Sequence, residues 1–399
     1  MNYNNHNEFM KKYRIAKGWA IFMYVFSPFL IALFGWMLVL PFLPDENIDV
    51  EAAWIMVPIA LAMITVIVLG LIDTIKGTFV IDTDRIYTTN IFNKRMLLFE
   101  EIKGFRIEDK YIFVESSVKN KKRIKISTYY GKCDEIKSWL YEHYDDLAIV
   151  NVMEDEKRIL QDVQFGRSVE ERESRLNRAR KVTRILTASA FVVSGWAFIW
   201  PQPYGIVVPA LLLFPVLALL LVKISGGIIH LNDNKDSAYP TVMYCIFIPG
   251  FMLLMRALLD YNVLDYSNTW APSILVTVFA MVVALIGNKE FAFKKAKDYL
   301  SAALIIPFFF CASYGGLILL NCYYDQSEEQ AFQSVVLSKR TSSGKHTSYY
   351  VELTPWGKQT EAEEVSIDSD LYDQFEAGDT AYVYLKKGQF DVPWFWVEK

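Results

Sequence analysis

Seven long apolar runs divide the chain, at about 18–43, 52–73, 185–200, 204–222, 240–259, 271–288 and 300–321. A helix needs roughly 20 apolar residues to cross a bilayer, and these runs match or approach that length. The third run is short, and "PQPYG" ties it to the fourth as a tight helical hairpin. Between the second and third runs the pattern changes completely. "KRIKIS" alternates, with Ile124 and Ile126 on one face and Arg123 and Lys125 on the other. That is the period of a half-buried strand, and "YIFVES" repeats it. About six short strands fit between Thr78 and Ser127. In "GKCDEIKSWLYEHYDDL" the period becomes helical, with Ile136, Trp139, Leu140, His143, Tyr144 and Leu147 on one face. Strands closed by one amphipathic helix predict an antiparallel sheet packed on that helix.

Two further stretches complete the pattern. In "GRSVEERESRLNRARKVTR", Ser168 and Glu171 have capping-box spacing, so a helix is predicted to start near Val169 and run on into the third apolar segment. Glu171 and Arg175, four apart, are spaced to pair. From about 330 to the end, "SVVLSKRT", "TSYYVELT", "EAEEVSI" and "TAYVYLKKG" read as strands of a second β-rich domain.

Charge orients the apolar runs. Lys11, Lys12, Arg14 and Lys17 precede the first run, whereas "DENIDVE" after it has no Lys or Arg. Residues 74–184 carry 23 Lys and Arg, "PQPYG" none, and residues 223–239 carry Lys223 and Lys235. "DYNVLDYSNTWA" again has none, while "NKEFAFKKAKDY" has Lys289, Lys294, Lys295 and Lys297. The alternation predicts a multi-pass protein with its N-terminus and residues 74–184 in the cytoplasm and its C-terminus outside. Residues 325–399 hold 14 Asp and Glu against 7 Lys and Arg, the acidic balance expected of the opposite side. The first run is too long for a signal-peptide core and is read as a retained anchor.

The segment 77–150 resembles the bacterial PH-like domains found in membrane proteins. The likeness rests on "GTFVIDTDRIYTTN", on "LLFEEIKGFRI" and on the final helix. It implies a fold used for binding or assembly and brings no catalytic residues with it. The ending "FEAGDTAYVYLKKG", with a tryptophan soon after, resembles a small β-barrel-like domain of unknown function appended to bacterial membrane helices. The two resemblances imply a bacterial inner membrane.

Motifs for chemistry are sparse. Cys133, Cys245, Cys311 and Cys322 are scattered, without a CxxC pair, and imply no disulfide framework or zinc site. The four histidines, His6, His143, His230 and His346, form no HExxH and lie far apart in sequence. "LNDNKDS" at 231–237 lacks the order and closing Glu of a calcium loop. "SGGIIH" and "SYGGLI" lack the Lys-Ser/Thr of a phosphate loop, and no GxSxG occurs. No catalytic residue, metal site or cofactor is therefore assigned.

What remains are charged residues in suggestive places. Lys119, Lys121, Lys122 and Arg123 crowd one turn and are candidates for contact with anionic lipid headgroups. Asp73 and Arg256 are the ionisable residues inside apolar runs, where such groups are functional candidates by default. Arg256 has Asp260 four residues on. Prolines at 28, 58, 209, 215, 249 and 307 interrupt the runs, and broken helices build binding sites in transporters. Ala190 with Ser194, and Ala312 with Gly316, have the small-xxx-small spacing of close helix contacts.

The expected architecture is thus an α-helical multi-span membrane protein of about seven helices, with an inserted PH-like β domain and a C-terminal small β-rich domain. Its parts are a cytoplasmic tail (1–17), two spans (18–73), the PH-like domain (77–150), juxtamembrane helices (151–184), five spans (185–321) and the β-rich domain (330–399). The expected function is a non-enzymatic scaffold or interaction protein, whose partners are the lipid bilayer and a protein partner or a second copy, not nucleic acid. The alternative is a transporter or channel component with a site near the fifth span.

Overall fold

The computed structural model describes residues 10–43, 50–294, 296–343 and 347–399. His6, His346 and Lys295 lie outside these, as does most of "DENIDVE". Among the described residues, seven helices are long and apolar enough to cross a membrane: Lys17–Phe42, Ala53–Lys76, Val169–Ile199, Tyr204–Ser225, Met243–Asp260, Ser267–Leu285 and Ala296–Tyr323. They make the chain a multi-pass membrane protein. The chain divides into two compact units, one comprising 1–154 with 235–237 and the other 155–234 with 238–399.

The first unit opens with a strand that charge had disguised. β1 (Lys11–Tyr13) lies in the segment expected to be a tail, and it pairs antiparallel with β2 (Thr78–Ile81). Between them run α1 (Lys17–Val39) and α2 (Val50–Lys76), packed on each other, with Met23 against Gly70. β3 (Arg85–Thr89) and β4 (Lys94–Leu98) extend the sheet to the order β1-β2-β3-β4. β5 (Ile102–Ile107), β6 (Tyr111–Ser116) and β7 (Ile124–Ser127) form a second sheet, also antiparallel. The six strands expected between Thr78 and Ser127 are therefore present, and a seventh comes from before the first span.

α3 (Cys133–His143) closes the unit. Its Ile136 and Leu140 are wholly buried, together with Phe79, Ile86 and Leu97 of one sheet and Phe105, Ile112, Ile124 and Ile126 of the other. The alternation seen in "KRIKIS" thus feeds one core shared by both sheets and the helix. Gly104 sits at a register break between β5 and β6 with φ +155°. A Cβ there would lie 2.7 Å from the Asp145 carbonyl oxygen, so the bend in "EEIKGF" requires glycine.

α4 (Leu147–Gln161) leads to the second unit. There α5 (Val169–Ile199) starts at Ser168, whose hydroxyl accepts from the Glu171 N–H at 3.2 Å. It continues unbroken into the membrane-length segment, as its cap spacing predicts. α6 (Tyr204–Ser225), α7 (Met243–Asp260), α8 (Ser267–Leu285) and α9 (Ala296–Tyr323) complete a five-helix bundle. The small residues Ala190, Ser194 and Ala312 are buried in it.

A six-stranded sheet follows the bundle. β8 (Asn262–Val263) lies in the α7–α8 loop. β9 (Gln330–Ser343), β10 (Thr347–Leu353), β11 (Glu363–Ile367), the short helix α10 (Ser369–Gln374), β12 (Thr380–Lys386) and β13 (Trp394–Glu398) follow α9. The order is β11-β10-β9-β12-β13-β8. Because Trp394 of β13 pairs with Val263 of β8, the sheet is tied to the bundle end that carries the α7–α8 loop.

Candidate functional site

The basic turn joins β6 to β7, and Asn120 takes φ 69° at its tip. Its four cations do not act alike. Lys121 is ion-paired with Glu101. Arg123 lies 3.3 Å from Glu115 and stacks 4.0 Å above the Phe113 ring. Lys119 and Lys122 are exposed and have no acid partner among the described residues. The lysine at Glu101 helps hold that carboxyl below its usual range, a direction set first by this contact and then by the Leu98 N–H. Two of the four expected headgroup ligands are therefore engaged within the domain's own surface. Lys125, on the same sheet face, lies 3.5 Å above Tyr111.

Arg106 of β5 makes a longer-range contact. Its guanidinium donates to Asp236 at 2.9 Å, 130 residues further along the chain. Lys235 lies 3.8 Å from Asp109 nearby. The 231–237 stretch therefore contributes an acid to the first unit.

Asp73 occupies the last turn of α2, where its carboxylate accepts from the Ile91 N–H at 3.4 Å. It sits beside Tyr130, whose hydroxyl is pushed up to about 12, mainly by burial and further by Asp73. This is a joint between helix and sheet. Arg256, near the end of α7, holds Asp260 in a two-pronged pair at 2.5 and 2.8 Å. Tyr204 of α6 donates to the same carboxylate at 2.8 Å. Tyr204 in turn packs against Tyr261 and Tyr323. Asp73 and the basic turn belong to the first unit, Arg256 to the second.

Two polar constellations were not singled out from sequence. At the foot of the C-terminal sheet, buried Asn321 donates to the Val392 carbonyl at 2.8 Å and accepts from the Phe390 N–H at 2.8 Å. Asp325 accepts from the Trp394 indole and the Gly388 N–H, both at 2.9 Å. Burial opposes the Asp325 charge, but the bonds from Ser327, Trp394 and Gly388 outweigh it and hold the carboxyl below its usual range. At the other end of the bundle, Glu290 accepts from the Leu231 and Asn232 N–H groups at 2.7 and 2.9 Å. Burial raises its carboxyl and these bonds partly offset the rise. His230 stacks on Tyr239 at 4.1 Å, and burial lowers its imidazole to about 4. "HLN" and "NKE" are short polar sequences whose bonded residues lie 58 and 59 apart, so nothing in either foretells the clasp.

No group of three or more His, Cys, Asp or Glu side chains is placed to hold a metal among the described residues. Comparison with protein-family models gives no match, and neither curated proteins nor solved structures match this chain.

Proposed function

We propose that the chain is a non-enzymatic scaffold or interaction protein of a bacterial inner membrane. In this reading a PH-like domain on the cytoplasmic side binds a partner, and the C-terminal sheet faces outside. The observation that carries it is the Arg106–Asp236 contact: the face of the three-stranded sheet already grips a chain segment remote in sequence. A sheet that holds one acidic segment through an arginine suits recognition of others, because charge-assisted pairs give orientation and specificity. The four-plus-three strand arrangement closed by α3 supports the PH-like likeness. A protein partner is favoured over the lipid surface, since Lys121 and Arg123 are committed to Glu101 and Glu115. The remaining pair, Lys119 and Lys122, adds about 1 kcal/mol each at an anionic surface.

Native mass spectrometry of the full chain in mild detergent tests this. A stoichiometric protein partner or a defined homo-oligomer is expected. A bare monomer carrying a small polar molecule would overturn the scaffold reading and direct attention to transport or catalysis.

A further inference from the structure

A groove runs between α5 and α6. At its outer end is a cavity of about 490 Å³. One wall carries Arg175 and Arg178 of α5, and the facing wall carries Ile224, Ile228 and Ile229. Val182 and Leu221 line this cavity and also the next one, of about 270 Å³, so the two are continuous. The inner cavity is open to the side, is lined by Ile185, Leu186, Leu217 and Leu220, and is polar only at Ser189. Positions 175, 178, 182, 185, 186 and 189 recur at helical spacing, so one stripe of α5 passes from cationic to apolar.

The two arginines are not part of the fold's own ion pairing. Both are exposed, and neither has an acid partner among the described residues, whereas Arg180 on the same helix pairs with Glu156 at 3.2 Å. The acid on the rim, Glu171, is already occupied: its carboxylate accepts from the Arg167 N–H at 2.7 Å. The rim therefore presents two uncommitted guanidinium groups, the side chain best shaped for a phosphate. From Arg178 to Ser189 the helix rises about 16 Å, close to half of a hydrocarbon core of about 30 Å. The stripe thus reaches one leaflet deep from a cationic mouth.

We propose that this groove is a binding site for an anionic phospholipid. Its phosphate meets Arg175 and Arg178, and one acyl chain lies along Val182, Leu186, Leu217 and Leu221. The charge of the mouth argues for an anionic headgroup. The sideways-open apolar continuation argues for a chain-bearing lipid rather than a free anion. This site is separate from the β6–β7 turn and does not depend on the scaffold reading.

The test uses the full chain in mild detergent, titrated with phosphatidylglycerol or with phosphatidylcholine of identical chains and followed by native mass spectrometry. Phosphatidylglycerol should bind about tenfold or more tightly than phosphatidylcholine, and R175Q/R178Q should remove that preference. R175K/R178K should retain most of it. L217W, which fills the apolar half and leaves the arginines untouched, should weaken both lipids. Circular dichroism and elution volume establish that each variant is folded. Unchanged phosphatidylglycerol binding by R175Q/R178Q would overturn the assignment. So would displacement of the lipid by millimolar inorganic phosphate, which would mark a free-anion site. A dimer of the wild type that R175Q/R178Q dissociates would mean that a second copy occupies the groove.

Discussion

Arg256 and Asp260 show how much a charged pair inside a bundle depends on its neighbours. Each side chain is less than one-fifth exposed, and Tyr204 supplies the carboxylate's further hydrogen bond. Removing one partner strands the other in a place where solvation is poor, at a cost of about 3–5 kcal/mol, whereas removing both is often close to neutral. R256L and D260L should therefore each lower the thermal unfolding midpoint in detergent by several degrees, and R256L/D260L should lower it less than either single change. A double variant that loses the sum of both would show the residues to be uncoupled. The i,i+4 spacing made this pair legible in the sequence. The same spacing misleads at Glu171 and Arg175, where Glu171 turns back to the Arg167 N–H and leaves the arginine unpaired. A cap competes with a side-chain pair, and spacing alone does not say which wins. The basic turn was legible as charge, but its neutralising acids, Glu101 in the turn before β5 and Glu115 on β6, lie 20 and 8 residues from their partners. Only the fold brings them together.

At the scale of elements, long apolar runs and clear periods translated directly into helices and strands. The helical period in "DEIKSWL" buries Ile136 and Leu140 as it should. What escaped were elements too short to have a period. β1 is three residues, "KKY", and β8 is two. Each gains its hydrogen bonds from a strand far away in sequence, which is tertiary information. A close helix crossing was also only half visible. Ala312 and Gly316 read as a packing pair, yet the backbone of α7 is approached at the neighbouring Gly315. A Cβ there would sit 2.4–2.6 Å from the backbone of Leu253 and Leu254 on α7. G315A should therefore force α7 and α9 apart, costing roughly 1–3 kcal/mol or more. It should lower the unfolding midpoint or the yield of folded protein. Gly195 on α5 is the internal comparison, since nothing lies within 4 Å of its Cβ position. G195A should be neutral or gain up to about 1 kcal/mol from helix propensity. Equal behaviour of the two variants would rule out a close α7–α9 contact at Gly315.

For the whole molecule, two strand pairings constrain the membrane topology independently of charge. β1 precedes the first span and β2 follows the second, and they share a sheet. The chain must therefore cross the membrane an even number of times between them, as two antiparallel spans do. β13 pairs with β8 in the α7–α8 loop, so the C-terminal sheet belongs on the side of that loop. The Lys and Arg distribution predicts residues 74–184 inside and the C-terminal region outside. Native cysteines are poor reporters, because Cys245 and Cys322 are buried and Cys133 and Cys311 only partly exposed. The test is a chain with those four replaced and one cysteine introduced at Lys119 or at Thr347, both exposed positions. A membrane-impermeant maleimide applied to intact cells should label T347C and spare K119C, and permeabilising the cells should equalise them. The reverse pattern would invert the protein. Labelling of both in intact cells would break the span count itself, and one of the seven apolar helices would then have to lie along or within the membrane without crossing it.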